Sequence, residues 1–314
     1  MITIGITMGD PSGIGPEVII KALQKKDVSR LAHYLVIGDK FIFSKVSNRP
    51  LPKNVKLLDL SNVNPGDFSF GKIRAEFGAA SMEYINFALY LLRQNLIDCL
   101  VTAPISKESA NLAGYKITGH TEYLARKTNT KKFEMMLLAE NLRTLTVTRH
   151  LPLKKVSDNL TKDDIYQAIA LVYKALKTLF SIKRPRIAVS ALNPHLGEHG
   201  ILGEEEKTKI IPAVKKANKK FGLVFGPIAS DSIFHDSLKG KYDAIVVMYH
   251  DQSLITLKTL FPNRSVNLTI GLPFVRTSPC HGTAFDIAGK NKADPTSMVE
   301  AIKLANKLAR NTKK

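Results

Sequence analysis

Three histidines stand where apolar, β-branched runs give way to polar residues: His150 after Leu142 to Thr148, His195 after Arg186 to Ala191, and His250 after Ala244 to Met248. A neutral imidazole can ligate a metal or carry a proton, and three at equivalent strand ends could converge on one zinc or other divalent first-row ion. Their spacing is far too long for a local metal motif, so the fold has to bring them together. A single histidine in such a place is ordinarily a loop or core residue; the repetition is what carries the argument. His33, His199 and His235 lack the strand-end context.

His250 also opens the richest stretch, His250-Asp251-Gln252, with Lys258 seven residues beyond Asp251. A carboxylate and an amine beside a metal-capable imidazole suit proton transfer. Asn267, Arg276 and the pair His120-Thr121, set among glycines and prolines, add donors for a small anionic substrate carrying phosphate or carboxylate. Arginine can grip such groups through a two-pronged fork. Taken singly, Lys258 reads as an exposed helix lysine and Arg276 as a surface ion-pair residue.

Placing these side chains requires strands that end on a common edge. The hydrophobic pattern predicts strands near 2–7, 34–37, 55–58, 97–102, 135–139, 142–148, 186–191, 244–248 and 266–269. Amphipathic helices are predicted at 79–93, 161–180, 204–221 and from about 295. This alternation is the pattern of an α/β protein with largely parallel sheets, whose ligands bind beyond the carboxyl ends of strands. Residues 9–17, Gly9-Asp10-Pro11-Ser12-Gly13-Ile14-Gly15-Pro16-Glu17, form a glycine-rich turn into a helix. Such a turn lets backbone N–H groups approach an anion, but the third glycine of the dinucleotide fingerprint is missing.

At 314 residues the chain is long for one core, and two domains are the default expectation. A formal net charge of +19 would suit nucleic acid, an anionic membrane surface or anionic substrates. The lysine pairs are scattered over polar helix faces with no aromatic-interleaved basic block, which favours a diffusely basic surface over a nucleic-acid site. Cys99 and Cys280 are the only cysteines, too few for a disulfide framework, which fits a reducing compartment. The first residues lack the basic and apolar regions of a secretory leader, and no apolar run reaches membrane-spanning length. The expectation is a cytoplasmic protein with neither nucleic-acid nor membrane partners.

Five separated motifs, in order and spanning almost the whole chain, resemble the 4-hydroxythreonine-4-phosphate dehydrogenases of pyridoxal phosphate biosynthesis. They are Thr7 to Glu17, Gly119-His120-Thr121-Glu122, Asn193-Pro194-His195 with Gly197-Glu198, Tyr249-His250-Asp251-Gln252, and Gly271-Leu272-Pro273 with Arg276-Thr277-Ser278. Residues 13–17 and 281–289 are also similar to segments of the isocitrate and isopropylmalate dehydrogenases, in which the second segment is a loop holding the adenosine part of the cofactor.

The resemblance implies two α/β/α domains of the isocitrate/isopropylmalate dehydrogenase kind, not the Rossmann dinucleotide fold. One domain, 1–130 plus 275–314, would carry both termini and the cofactor loop; the other, 131–274, would hold the metal, bind substrate and dimerise. His150, His195 and His250 would bind a divalent ion (zinc, magnesium or cobalt), with ligands drawn from both subunits of a homodimer whose active site lies at the interface. His120, Thr121, Lys258, Asn267 and Arg276 would contact a small phosphorylated amino-acid substrate. His281, Gly282, Thr283, Ala284 and Asp286 would hold NAD or NADP. The implied reaction oxidises 4-phosphooxy-L-threonine to a β-keto acid that loses carbon dioxide to give 3-amino-2-oxopropyl phosphate. Lys258 or Asp251 would relay the hydroxyl proton, and Lys258 is favoured because a neighbouring cation would lower an amine's pKa.

One motif departs from the pattern. After His-Asp-Gln the family usually has Gly and then Leu-Pro, where this chain has Ser253-Leu254-Ile255. Serine at a glycine position needs a backbone that tolerates Cβ, and loss of the proline is expected to loosen a turn. Two alternatives stand beside the main reading. One is a related dehydrogenase of a four-carbon sugar-acid phosphate such as phosphothreonate or phosphoerythronate. The other is a basic nucleic-acid-binding protein on a degenerate enzyme fold, against which the intact histidine set argues.

Overall fold

The computed structural model describes residues 1–313. In chain order its first elements are β1 (Thr3–Thr7), α1 (Gly15–Leu23), α2 (Lys26–Ser29), β2 (His33–Gly38), α3 (Lys40–Val46), β3 (Val55–Asp59), α4 (Ala75–Arg93), β4 (Cys99–Thr102), α5 (Lys107–Leu112) and α6 (His120–Lys127). The middle runs β5 (Glu134–Ala139), β6 (Leu142–Thr148), α7 (Val156–Asn159), α8 (Lys162–Thr178), β7 (Ile187–Ser190), α9 (Ile211–Phe221), β8 (Val224–Ile228), α10 (Ser230–Leu238), β9 (Ala244–Tyr249), α11 (His250–Leu260) and β10 (Val266–Ile270). The chain closes with β11 (Val275–Pro279) and α12 (Thr296–Thr312). None of the described helices is long and apolar enough to cross a membrane.

The chain forms two compact units, Met1–Lys131 together with the chain from Leu272 onward, and Lys132–Gly271. The first unit has an all-parallel sheet in the order β3-β2-β1-β4-β11. Its middle strands are buried on both faces: Ile4, Ile6, Leu100 and Val101 have no exposed surface. Helices cover both faces of such a sheet, so alternation of apolar and polar residues is lost.

The second unit orders its strands β10-β5-β6-β9-β7-β8. β5 and β6 form an antiparallel hairpin and β10 runs antiparallel to β5; β6, β9, β7 and β8 are parallel. β9 lies between β6 and β7, and Ile245, Val246, Val247 and Met248 have no exposed surface. The register pairs Thr148 with Tyr249 and Val189 with Val246. The three strands that precede the three histidines therefore run side by side and finish on one edge.

Two elements differ from the sequence expectation. Residues 275–279, to which the hydrophobic pattern assigns no strand, are β11, buried throughout despite Arg276, Thr277 and Ser278. Glu206, in the first turn of the helix predicted at 204–221, is 3% exposed and turns its carboxylate inward.

Candidate active site

The parallel register of β6 and β9 sets the geometry in the second unit. His150 and His250 each follow the last residues of their strands, and their ring centroids come to 5.9 Å. His150 takes a left-handed backbone (φ 34°), which turns the chain out of the strand. His250 is the first residue of α11, and its Nδ1 meets Asp251 Oδ1 at 2.6 Å. A carboxylate at one ring nitrogen orients the other outward, an arrangement that recurs behind metal-bound histidines.

Gln252 anchors this corner. Its Oε1 accepts from the Met248 backbone N–H at 2.7 Å, and its Nε2 donates to the Ala191 carbonyl at 2.8 Å and to Ser230 Oγ at 2.9 Å. One amide thus ties the start of α11 to the end of β7, where the third histidine's loop departs.

That loop is unusual. His195, Leu196, Gly197, Glu198 and His199 all take left-handed φ, from 42° to 79°. Each non-glycine residue there costs roughly 1–2 kcal/mol, so the run needs support from outside itself. Glu206 supplies it: Oε1 accepts from the N–H groups of Leu192 and Asn193, both at 2.8 Å, and Oε2 from Asn193 Nδ2 at 2.9 Å. Glu205 takes the same Asn193 amide at 2.7 Å. Among the described residues no group of three histidine, cysteine or carboxylate side chains is close enough to hold a metal. The structure brings His150 and His250 together and leaves His195, exposed on its own loop, apart from them.

Lys258 is exposed on α11. Seven residues place it on the same helix face as Asp251, about 10 Å further along the axis. Asn267 lies on β10 opposite Leu137; its Nδ2 contacts Met135 Sδ, and its Oδ1 is buried without a hydrogen bond.

The first unit gathers a different set. His120 and Thr121 open α6, and a helix N-terminus, with its first N–H groups directed out of the helix, favours an anion. The His120 Nε2 is buried and makes no hydrogen bond. Burial, followed by the nearby Arg276 cation, pushes its pKa well below the usual histidine range, so the ring is neutral. Arg276 is 2% exposed, not a surface ion-pair residue. Its Nε and Nη2 both donate to Thr102 Oγ1, at 3.2 and 2.5 Å. Burial lowers its pKa to about 10, which leaves the guanidinium charged at neutral pH.

The 281–286 segment follows β11 in the same unit. His281 Nδ1 lies 3.0 Å from the Gly282 carbonyl, while its Nε2 is buried and makes no hydrogen bond. Ala284 takes a left-handed φ of 41°, Gly282 has open space beside its Cα, and Asp286 is exposed.

The family model for "Pyridoxal phosphate biosynthetic protein PdxA" matches residues 16–305. The chain belongs to the PdxA family. Among relatives, it is 41% identical over 319 residues to a 4-hydroxythreonine-4-phosphate dehydrogenase of Desulforapulum autotrophicum, covering 96% of this chain and 94% of the other. It is 39% identical over 327 residues to a protein provisionally named D-threonate 4-phosphate dehydrogenase from Fusobacterium nucleatum subsp. nucleatum, covering 99% and 98%. The crystal structure of 4-hydroxythreonine-4-phosphate dehydrogenase from Klebsiella pneumoniae matches with a TM-score of 0.89 at 36% identity, covering 98% of this chain and all of that one.

For this PdxA-family chain the departure at Ser253 has a structural explanation. Ser253 is fully buried inside α11, and its Oγ lies 2.5 Å from Thr144 Oγ1 of β6. Residues 250–260 are helical, so Ile255 replaces proline within a helix and loosens no turn. Ile255 is 64% exposed and keeps a backbone N–H that proline would lack. Sequence reasoning missed Gln252, Glu206 and Thr102 as supporting residues. Gln252 and Asn193 sat inside the recognised PdxA motifs and were legible as polar residues at strand ends. Nothing local distinguished Glu206 from its acidic neighbours.

Proposed function

We propose that the protein is a metal-dependent dehydrogenase that uses NAD or NADP to oxidise 4-phosphooxy-L-threonine at its hydroxyl-bearing carbon. The β-keto acid so formed loses carbon dioxide and leaves 3-amino-2-oxopropyl phosphate for pyridoxal phosphate biosynthesis. The observation that carries this reading is the pair of strand-end imidazoles, His150 and His250, with Asp251 behind one of them, in a PdxA-family chain.

The donor set suits a divalent ion: the His150 and His250 rings lie 5.9 Å apart, and the Asp251 carboxylate holds Nδ1 of His250, so that Nε2 would be free to ligate. The third ligand would be His195 of a second copy, which accounts for its separation within one chain. Exposed apolar residues lie near His150 and His195, among them Leu153 (70%), Leu196 and Ile201 (80%), and this supports a homodimer with the metal at its interface. Bound there, the ion would supply Lewis-acid polarisation of the substrate oxygen during oxidation and decarboxylation.

The protein's own groups do the rest. His120, with Nε2 making no hydrogen bond within the chain, donates from that nitrogen to the phosphate; Thr121 and the α6 N-terminus add donors, and Arg276, held by Thr102, supplies the charge. Asn267 turns its amide oxygen to the substrate's donors. Lys258, as the free amine that a neighbouring bound cation would favour, would accept the hydroxyl proton, and Asp251 serves the histidine. The buried, unbonded Nε2 of His281 and the open backbone at Gly282 suit a nucleotide, with Thr283, Ala284 and Asp286 completing the loop. The nicotinamide takes the hydride when bound.

A second reading is favoured by the Fusobacterium relative: a substrate that is a four-carbon sugar-acid phosphate, without the amino group. The deciding experiment measures NAD and NADP reduction with 4-phosphooxy-L-threonine and with D-threonate 4-phosphate, before and after chelation. The main reading expects the first substrate to be preferred and activity to vanish on chelation, returning with added metal. Preference for the second substrate would select the alternative, and full activity in the stripped enzyme would overturn the metal's role.

A further inference from the structure

The segment 280–295 follows β11 and precedes α12 with neither helix nor strand between them. Ala284 and Asn291, neither of them glycine, take left-handed φ within it, of 41° and 57°. A stretch without its own ladder must find partners for its backbone groups elsewhere, and a costly backbone must be held from outside. Both needs are met by α1 and the turn that leads into it.

The Ile14 N–H donates to the Thr283 carbonyl at 2.9 Å. A Cβ built on Gly13 would come within 3.1 Å of Thr283, so the turn and the segment touch backbone to backbone. One turn further along α1, the Glu17 carboxylate is 2% exposed, and its Oε1 accepts from the Ala293 N–H at 2.7 Å. Lys21 pairs with the same oxygen at 2.7 Å, then spends its remaining donors on the carbonyls of Asn291 and Ala293, both at 3.0 Å. Glu17 and Lys21 lie four residues apart and so share one helix face. An ion pair on that face, buried at Glu17 and partly exposed at Lys21, thus satisfies three backbone groups of one segment.

We propose that Glu17 and Lys21 are positioning residues for dinucleotide binding: they fix the far end of the 281–293 segment while Ile14 fixes the near end, so that the nucleotide meets a loop already in its binding shape. This rests on the proposed role of 281–286 in holding NAD or NADP. A released loop would populate that shape only part of the time, and apparent affinity falls by the same fraction.

The test is calorimetric titration of NAD and NADP into the metal-loaded full-length enzyme, alongside steady-state kinetics. The variants are the neutral pair Glu17→Gln with Lys21→Met, and the conservative Lys21→Arg. The double variant is expected to raise the dinucleotide Kd and KM about 10-fold, with the KM of the phosphorylated substrate and kcat at saturating dinucleotide within about twofold of wild type. Lys21→Arg retains donors for both carbonyls and should restore wild-type affinity. If the double variant does not fold, Lys21→Gln at its partly exposed position carries the same expectation at about threefold. An unchanged Kd in a folded variant would overturn the inference, as would a fall in kcat with both KM values raised together. A wild-type enzyme with no affinity for either dinucleotide would instead overturn the assignment of the loop.

Discussion

His150 and His250 meet, ring centroids 5.9 Å apart, because their strands are parallel neighbours in register: Thr148 lies beside Tyr249, and each histidine comes within two residues of that pair. No local motif brings them together across 100 residues of chain; the sheet does. Asp251 then fixes one ring from behind at 2.6 Å.

Asp251→Asn tests that contact. An amide can still reach His250 Nδ1, but it gives up the negative charge that favours ligation through Nε2. Loss of such an outer partner costs about 10- to 100-fold in metal affinity or activity. Metal affinity measured by competition with a chromogenic chelator should fall within that range while the fold is retained, and an unchanged affinity would exclude the orienting role.

Arg276→Lys removes a planar fork from a buried place. The guanidinium spans Thr102 Oγ1 through Nε and Nη2, and an ammonium cannot hold that geometry. Charge-assisted bonds contribute about 1.5–3 kcal/mol, so the KM of the phosphorylated substrate should rise roughly 10- to 100-fold. A substrate-concentration series on the purified variant reads this directly, and a KM within twofold would argue that Arg276 serves the fold alone.

Ser253→Gly introduces the glycine that the family resemblance leads one to expect at this position. It removes the 2.5 Å contact to Thr144 and places glycine inside α11. Glycine in a helix interior costs about 1 kcal/mol, and loss of a buried hydrogen bond about 1 kcal/mol more. Stability from urea unfolding should therefore drop by about 1–2 kcal/mol with kcat unchanged. A variant as stable as the parent would mean the serine is merely tolerated.

Asp10 makes stability depend on pH. It is fully buried in the turn between β1 and α1, its Oδ1 accepting from the Ser12 N–H at 2.9 Å. Burial raises its pKa from 3.8 to about 6. The native chain therefore keeps this proton through a window, about pH 4 to 6, in which the unfolded chain has lost it. Stability from this group falls as pH rises through the window, by about 2–3 kcal/mol, and stays reduced above it. Asp10→Asn should flatten that part of the profile and be the more stable protein at pH 7.5. Parallel urea-unfolding profiles for the two proteins between pH 4.5 and 7.5 would refute this.

What could be read from the sequence follows the physics of each element. β9 and β7 were legible as short apolar runs and β6 as a β-branched stretch, Leu142 to Thr148, and the ends of the three located His150, His195 and His250. β11 was not, since Arg276, Thr277 and Ser278 look like surface residues, and only packing in the sheet makes them core. The helix over Ser253 to Ile255 was hidden by expecting the family's proline to mark a turn. The left-handed run from His195 to His199 has one glycine, and no local preference would place four other residues there. Glu206 could be recognised only once Leu192 and Asn193 were seen to point at it.

That left-handed run bears on how the protein can be altered. His195 is not portable by itself: grafted onto another strand end, it would relax into ordinary backbone and point elsewhere. The smallest piece that could be transplanted runs from the end of β7 through Asn193 and the left-handed turn to Glu206. It also needs a Gln252 equivalent across the sheet to moor it. Mutational tolerance should be lowest at these scaffold positions, so variation within that stretch ought to be confined to the outward-facing side chains of Leu196, Glu198 and His199.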